Sequence, residues 1–424
     1  MINRSIAPAF REVEHIELIK ANPAKLDNGL PFFVINGGDQ DLVRIEFIFE
    51  NVAWDPAKPL QAFATNALLA EGTSEYTSAE LAEKLDYFGA FLQKDYSFDH
   101  SSLVVYTLNK HIGSVLHLVR AMLTDAIFPQ HELDTFVRNQ KQKLQVSLEK
   151  NDFLARRTFN QTLFKETLYG HTAQAADYDQ LKQEDLLSYY KNAYQPANCT
   201  LVLSGRVNEE IITVLNREFG QSWTSEVNPH KNEFSFLPGT GKLHYVERID
   251  ALQSAIRIGQ VSINRTHPDF PSLQVLNTVL GGYFGSRLMA NIREDKGYTY
   301  GIGSALVSLQ NAGYFFIASE VGAEVCSAAV QEVEKELAIL KNELVAPEEL
   351  QLVRNYMMGS TLGSLENAFS HADKFKNIYF FGLGYDYYDR YIHTLRTITP
   401  EDLLRLANQY LNFDAFEKVI VGKQ

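Results

Sequence analysis

Cysteine is scarce in this 424-residue sequence: Cys199 and Cys326 stand far apart, and no Cys-x-x-Cys occurs. That argues against a thiolate zinc site or a dithiol redox centre. Histidines number eleven, but the closest two, His111 and His117, are six apart. No helix can then offer two imidazoles at i, i+4, the spacing that brings both to one zinc ion at about 2.0–2.1 Å. Basic clusters are missing too. With a net charge of −13 and no stripe of Lys and Arg, the chain lacks the footprint of a nucleic-acid surface. No run of 18 apolar residues marks a membrane span. The opening MINRSIAPAFREVEHIELIK lacks the charged-then-apolar pattern of a secretory leader. The expectation is a cytoplasmic protein, or a periplasmic one if a leader was removed before this numbering starts. Neither a Gly-x-Ser-x-Gly elbow nor a Walker loop is present, and Gly297, Gly301 and Gly303 have the wrong spacing for a dinucleotide fingerprint.

What is there is a well-mixed globular composition, 45% hydrophobic and 21% charged, which fits two domains of roughly 200 residues better than one core. The two halves echo each other. Phe136-Val137-Arg138-Asn139 recurs as Leu352-Val353-Arg354-Asn355. Ser147-Leu148-Glu149 recurs as Ser364-Leu365-Glu366, and Glu184-Asp185-Leu186-Leu187 as Glu401-Asp402-Leu403-Leu404. Three matches in one order at a nearly constant offset indicate a duplicated domain. The expected boundaries are 1–221 and 242–424, with the polar, Pro- and Gly-containing stretch 222–241 as linker.

Within the first half, Leu30 to Glu50 reads as a hairpin around Gly37-Gly38. Helical periodicity follows over Leu60–Leu69 and Ser78–Tyr87, with Thr77-Ser78 placed to cap the second. A β pair covers Phe91–Leu108, and helical stretches span His111–Thr124 and Glu132–Lys150. The expected fold class is α+β: two homologous domains, each a mostly antiparallel sheet with helices packed on one face.

The order of elements, the duplication and several local motifs resemble the insulinase-like zinc peptidases, the family of pitrilysin and the mitochondrial processing peptidase. That resemblance covers nearly the whole chain and implies a bowl-shaped half of a clamshell. In active members an inverted zinc motif, His-x-x-Glu-His, lies on a helix that ends shortly before a Gly-Thr pair. Counting back from Gly72-Thr73, the histidine positions hold Phe63 and Ala67 and the glutamate position holds Asn66. The third ligand of the family, a glutamate on a later helix, corresponds to the run Arg138–Leu148, which has no carboxylate. Phe and Ala cannot ligate zinc, and neutral Asn is a poor general base. No metal or other cofactor is expected in this chain.

The second half keeps what the first has lost. LGGYFGSRLMANIREDKGYTYGIGSAL resembles the C-terminal signature of the family, in which an arginine and a tyrosine seven apart bind substrate opposite the zinc. By position these are Arg293 and Tyr300. A guanidinium and a phenol suit that role, since both donate to a carbonyl or a developing oxyanion. The edge-strand Asn-Ala motif of active members is absent from Gly89–Asp95. The resemblance therefore implies a non-catalytic, substrate-binding subunit whose partners are a homologous zinc-bearing subunit and a peptide. The alternative is an assembly or peptide-binding scaffold of the same fold, as in the core proteins of the respiratory bc1 complex. A homodimer of the chain alone stays open.

Overall fold

The structure, a computed structural model, describes residues 16–423 except 222, 226–229 and 237–238. Eleven strands form two sheets among the described residues. In the first half they are β1 (Asn22–Lys25), β2 (Pro31–Asn36), β3 (Leu42–Glu50), β4 (Phe91–Tyr96), β5 (His100–Leu108) and β6 (Cys199–Gly205), in the spatial order β1-β2-β6-β3-β5-β4. In the second half they are β7 (Leu243–Glu247), β8 (Gln253–Ser262), β9 (Thr299–Ser308), β10 (Gly313–Gly322) and β11 (Glu417–Gly422), in the order β7-β11-β8-β10-β9. Leaving out β1, the two orders are the same. Each sheet has a single parallel pair, β2 with β6 and β7 with β11, and is otherwise antiparallel. The duplication read from sequence is thus a duplication of topology. The repeated Glu-Asp-Leu-Leu motifs open matching helices, Gln183–Ala193 in the first half and Pro400–Tyr410 in the second.

One local expectation fails. The strands β2 and β3 form where the hairpin was read, but they do not pair; β6 lies between them. The reason is burial. Six of the seven residues of Cys-Thr-Leu-Val-Leu-Ser-Gly are buried, and so apolar a strand is stable only with neighbours on both edges and cover on both faces. It therefore displaces the contact that a tight turn would have made.

Side-chain alternation explains the layers. Along β3, Val43, Ile45, Phe47 and Phe49 join a core with Val115, Val119 and Leu123 of helix Ile112–Asp125 in their own half. The residues between them, Arg44, Glu46 and Ile48, point the other way, toward the second half. There helix Ala368–Tyr379 lays Ala368, Ala372 and Phe375 on Ile35, Ile48 and Val202. The arrangement is reciprocal. Helix Asn151–Phe164 of the first half places Ala155, Phe159 and Leu163 against Ala255, Val419 and Val421 of the second sheet. Each sheet is thus covered on one face by its own helices and on the other by one helix donated across the seam. The segment 222–241, read as a polar linker, is partly an apolar tether: Phe234 and Phe236 pack on Tyr169, with ring centroids 5.7 Å away in each case. Among the described residues no helix is long and apolar enough to cross a membrane.

Candidate functional site

Positions 63, 66 and 67, read from sequence as a degenerate zinc motif, fall on helix Gln61–Ala67. Phe63 turns its ring toward Tyr96 of β4 and Phe136 of helix Gln130–Leu148, at centroid distances of 5.4 and 5.7 Å. It also packs beside a small core of Leu60, Leu144 and Tyr178. Helix Gln130–Leu148, on which the third ligand was sought, thus reaches the right neighbourhood but brings aromatic and aliphatic groups. Asn66 is 1% exposed and bonded through both ends of its amide. Its Nδ2 donates to the Asp95 carbonyl at 2.8 Å, and its Oδ1 accepts from the Tyr194 hydroxyl at 3.0 Å. Ala67 is half-buried and contributes no polar atom. The amide at 66 has become a strut between the helix and β4.

A second strut lies one turn on. Ser78 donates to Glu71 and the Lys94 ammonium of β4 approaches it at 2.9 Å. Burial works against the charged form of Glu71, but Lys94 and Ser78 together hold its carboxyl below the usual range. The turn that follows needs Gly72, because its φ is +146° and a Cβ there would meet Pro129 at 2.9 Å. Thr73 closes the turn by accepting the Tyr76 N–H at 2.9 Å, and the expected cap is a full capping box between Thr77 and Glu80.

In the second half the signature divides into residues that build and residues that are left free. Gly281 lets the helix end approach β9, since a Cβ there would lie 2.6 Å from the Ser304 nitrogen. Arg287 makes a two-pronged ion pair with Glu349, both contacts at 2.8 Å. Leu288, Met289 and Ile292 enter the core. Arg293 lies on a π-helical segment, Met289–Asp295, a departure from regular winding often found at functional sites. Its guanidinium stacks over Phe284 at 4.5 Å, and its nearest carboxylate, Glu294, is 3.9 Å away.

Tyr300 sits in a β-bulge. Ile302 pairs with Ser319 and Thr299 with Val321, so Tyr300 and Gly301 together face Glu320. Bulges re-aim side chains, and Tyr300 is 93% exposed with no hydrogen-bond partner among the described residues. Thr299 fixes the distortion by donating to the Glu320 carbonyl at 2.7 Å and accepting the Gly301 N–H at 3.0 Å. With Phe284 66% exposed, Arg293, Phe284 and Tyr300 give this half a solvent-facing set of one cation, one phenol and one ring.

Chemically, positions 63 and 67 carry no ligating side-chain atom and the amide oxygen at 66 is taken by Tyr194, whereas the second half presents the guanidinium of Arg293 and the phenol of Tyr300 toward solvent. Among the described residues, no three His, Cys, Asp or Glu side chains gather into a metal-holding group. Residues that the sequence did not single out, Asp99, His100, Arg265 and Gln310, meet at the seam between the halves. No motif announces them, because they come from separate segments of the chain.

These features define a class: a duplicated α+β chain in which positions 63, 66 and 67, read from sequence as a degenerate zinc motif, are apolar or structural. A profile described as the peptidase M16 inactive domain matches residues 180–357, a span that contains Arg293 and Tyr300 but not positions 63–67. The uncharacterized zinc protease YmxG of Bacillus subtilis is 25% identical, over 81% of this chain and 84% of that protein. The non-peptidase homolog YmxG of Helicobacter pylori is 22% identical, over 79% and 78%. The crystal structure of a peptidase M16 inactive domain from Pseudomonas fluorescens superposes with a TM-score of 0.85 at 20% identity, covering 95% of this chain and 98% of that one, which bears on the fold alone. The chain is thus similar to the peptidase M16 family, by profile over residues 180–357 and by relatives across most of its length.

Proposed function

We propose that this chain is the non-catalytic, substrate-binding subunit of a heterodimeric zinc endopeptidase acting on peptides, and that it presents Arg293 and Tyr300 to a site whose zinc is held by a homologous partner. The observation that carries this reading is the asymmetry between the halves. The metal positions are filled by packing, whereas Tyr300 is thrown outward by a bulge that a purely structural strand has no need of. Guanidinium and phenol donors act on a peptide by hydrogen-bonding its carbonyl and the oxyanion that develops there. Clamping of β4 through Asn66 and Lys94 supports the same division of labour, with the first domain given over to structure.

The test mixes the purified chain with zinc-motif subunits from the same genome and follows cleavage of a quenched peptide. Cleavage is expected in one mixture only. There Arg293→Ala and Tyr300→Phe should each lower kcat/KM by about 10²-fold, the usual scale for losing one oxyanion donor. The unfolding midpoint should stay put, since neither side chain is committed to the fold. Cleavage that survives both substitutions supports the scaffold alternative. Stoichiometric zinc and cleavage by the chain alone would falsify both.

A further inference from the structure

Two hairpin turns, one from each half, meet at the seam and are tied by Asp99. One Asp99 oxygen accepts from the Tyr169 hydroxyl and the other from the Gln310 N–H, at 3.0 Å for the latter. Beside this knot opens a cleft of about 570 Å³ walled by both sheets and by the end of helix Ala368–Tyr379. Neither Arg293 nor Tyr300 lines it.

The ionic groups in its wall are not equivalent. Glu46 is held by Lys376 and Arg44, Asp99 by the two donors just named, and Asp95 by the Gln93 amide at 2.7 Å. Lys376 in turn contacts both Glu46 and Asp373. Arg265 differs from all of them: among the described residues it meets no carboxylate. Its guanidinium stacks on Phe381 at 4.7 Å, and Nη1 donates to the Asn377 carbonyl at 2.6 Å. Nε has a long contact of 3.4 Å with Ser308 Oγ, and Nη2 has no hydrogen bond among the described residues. A cation fixed on an aromatic face, half-buried and with its outer nitrogen unused, is preorganised for an anion. Next to it the His100 and Phe380 rings pack in a tilted contact, centroids 4.2 Å apart, forming an aromatic shelf at the same cleft.

We propose that this cleft is a peptide subsite in which Arg265 binds a carboxylate and the shelf of His100, Phe380 and Phe381 takes the neighbouring apolar side chain. This rests on the peptide-binding reading above and adds a second contact to it, at a cleft that neither Arg293 nor Tyr300 lines. The carboxylate belongs either to a chain end or to an acidic side chain.

Three N-acetylated tetrapeptides decide between these, each titrated into the full chain by calorimetry: Leu-Phe-Ala-Ala with a free C-terminus, its amide, and the amide with Glu in the last position. At least one carboxylated peptide is expected to bind tenfold or more tightly than the neutral amide, and which one does so identifies the source. In Arg265→Gln that preference should fall to within twofold, with the thermal transition confirming a folded chain. If that variant does not fold, the guanidinium Nε resonance of Arg265 in the unaltered chain must shift on adding the preferred acid and not on adding the amide. Equal binding of acids and amide overturns the cleft and leaves the subunit reading intact. Binding of no peptide, with cleavage still appearing in a mixed pair, does the same. Binding of none and cleavage in no mixture overturns both.

Discussion

At position 66 a single amide ties separate segments of the first half together. An amide both donates and accepts, and Asn66 uses each end on a different segment, β4 and helix Gln183–Ala193 with its following Tyr194. A carboxylate only accepts. Restoring the family's glutamate by Asn66→Glu would therefore set a buried anion against the Asp95 carbonyl. The expected cost is about 3 kcal/mol, the scale of an uncompensated buried polar or charged group. The measurement is the urea midpoint, and an unchanged midpoint would sink the idea that this site has been rebuilt as a strut. That positions 63, 66 and 67 carry Phe, Asn and Ala was legible because it is a matter of residue types at counted positions. The new partners were not legible, since Asp95 and Tyr194 lie far along the chain from Asn66 and no local pattern points to them.

Among the elements, helix Ala368–Tyr379 carries the clearest tension between apolar and ionic packing. Its apolar residues lie on the first sheet beside a closed set of charges: Arg44 with Glu46 and Asp373, at 2.9 and 3.0 Å, and Lys376 with Asp373 at 3.0 Å and with Glu46. The Arg44–Glu46 contact is close but poorly aligned, leaving one Glu46 oxygen without a hydrogen bond, so Lys376 is the partner that donates to Glu46. Lys376→Met should then destabilise by about 2–3 kcal/mol, somewhat below the range for a fully buried pair because the ammonium is partly exposed. Glu46→Gln added to it should recover part of that loss, a coupling readable in a double-mutant cycle. Additive costs would show that the two charges do not act together. The strands flanking this contact were legible from alternation and apolar runs. The pairing of β2 was not, because β6 arrives from far downstream, after β4, β5 and the long helices of this half. Helix Asn151–Phe164 escaped the sequence reading altogether, though Ala155, Phe159 and Leu163 at i, i+4 and i+8 carry its signal. Its apolar stripe serves the other half, so its meaning appears only once both halves are folded.

For the whole molecule, the duplication predicts a pseudo-symmetric body and the crossed helices bind its halves into one. The seam should then report on global stability. His100 lies there, packed against Phe380 and near Lys231 and Lys376, and burial first, then those two ammonium groups, lower its pKa from 6.5 to about 4. The unfolded chain thus binds a proton at this residue near pH 6.5, while the folded chain resists until about pH 4. Stability from the neutral ring is fully present above pH 6.5 and is lost as the pH falls toward 4. With the ring half-buried and screened, the loss should be on the order of 1–3 kcal/mol. Asp99 acts in the opposite sense: burial outweighs its hydrogen bonds and raises its pKa above 3.8, so its contribution favours the folded state at low pH and offsets part of the slope at the acid end. His100→Phe keeps an aromatic ring for Phe380 and removes the titration. Its unfolding free energy, from urea titrations between pH 7 and 4.5, should fall less steeply than that of the unaltered chain. Parallel curves would mean that His100 is protonated as easily in the folded seam as in the free chain.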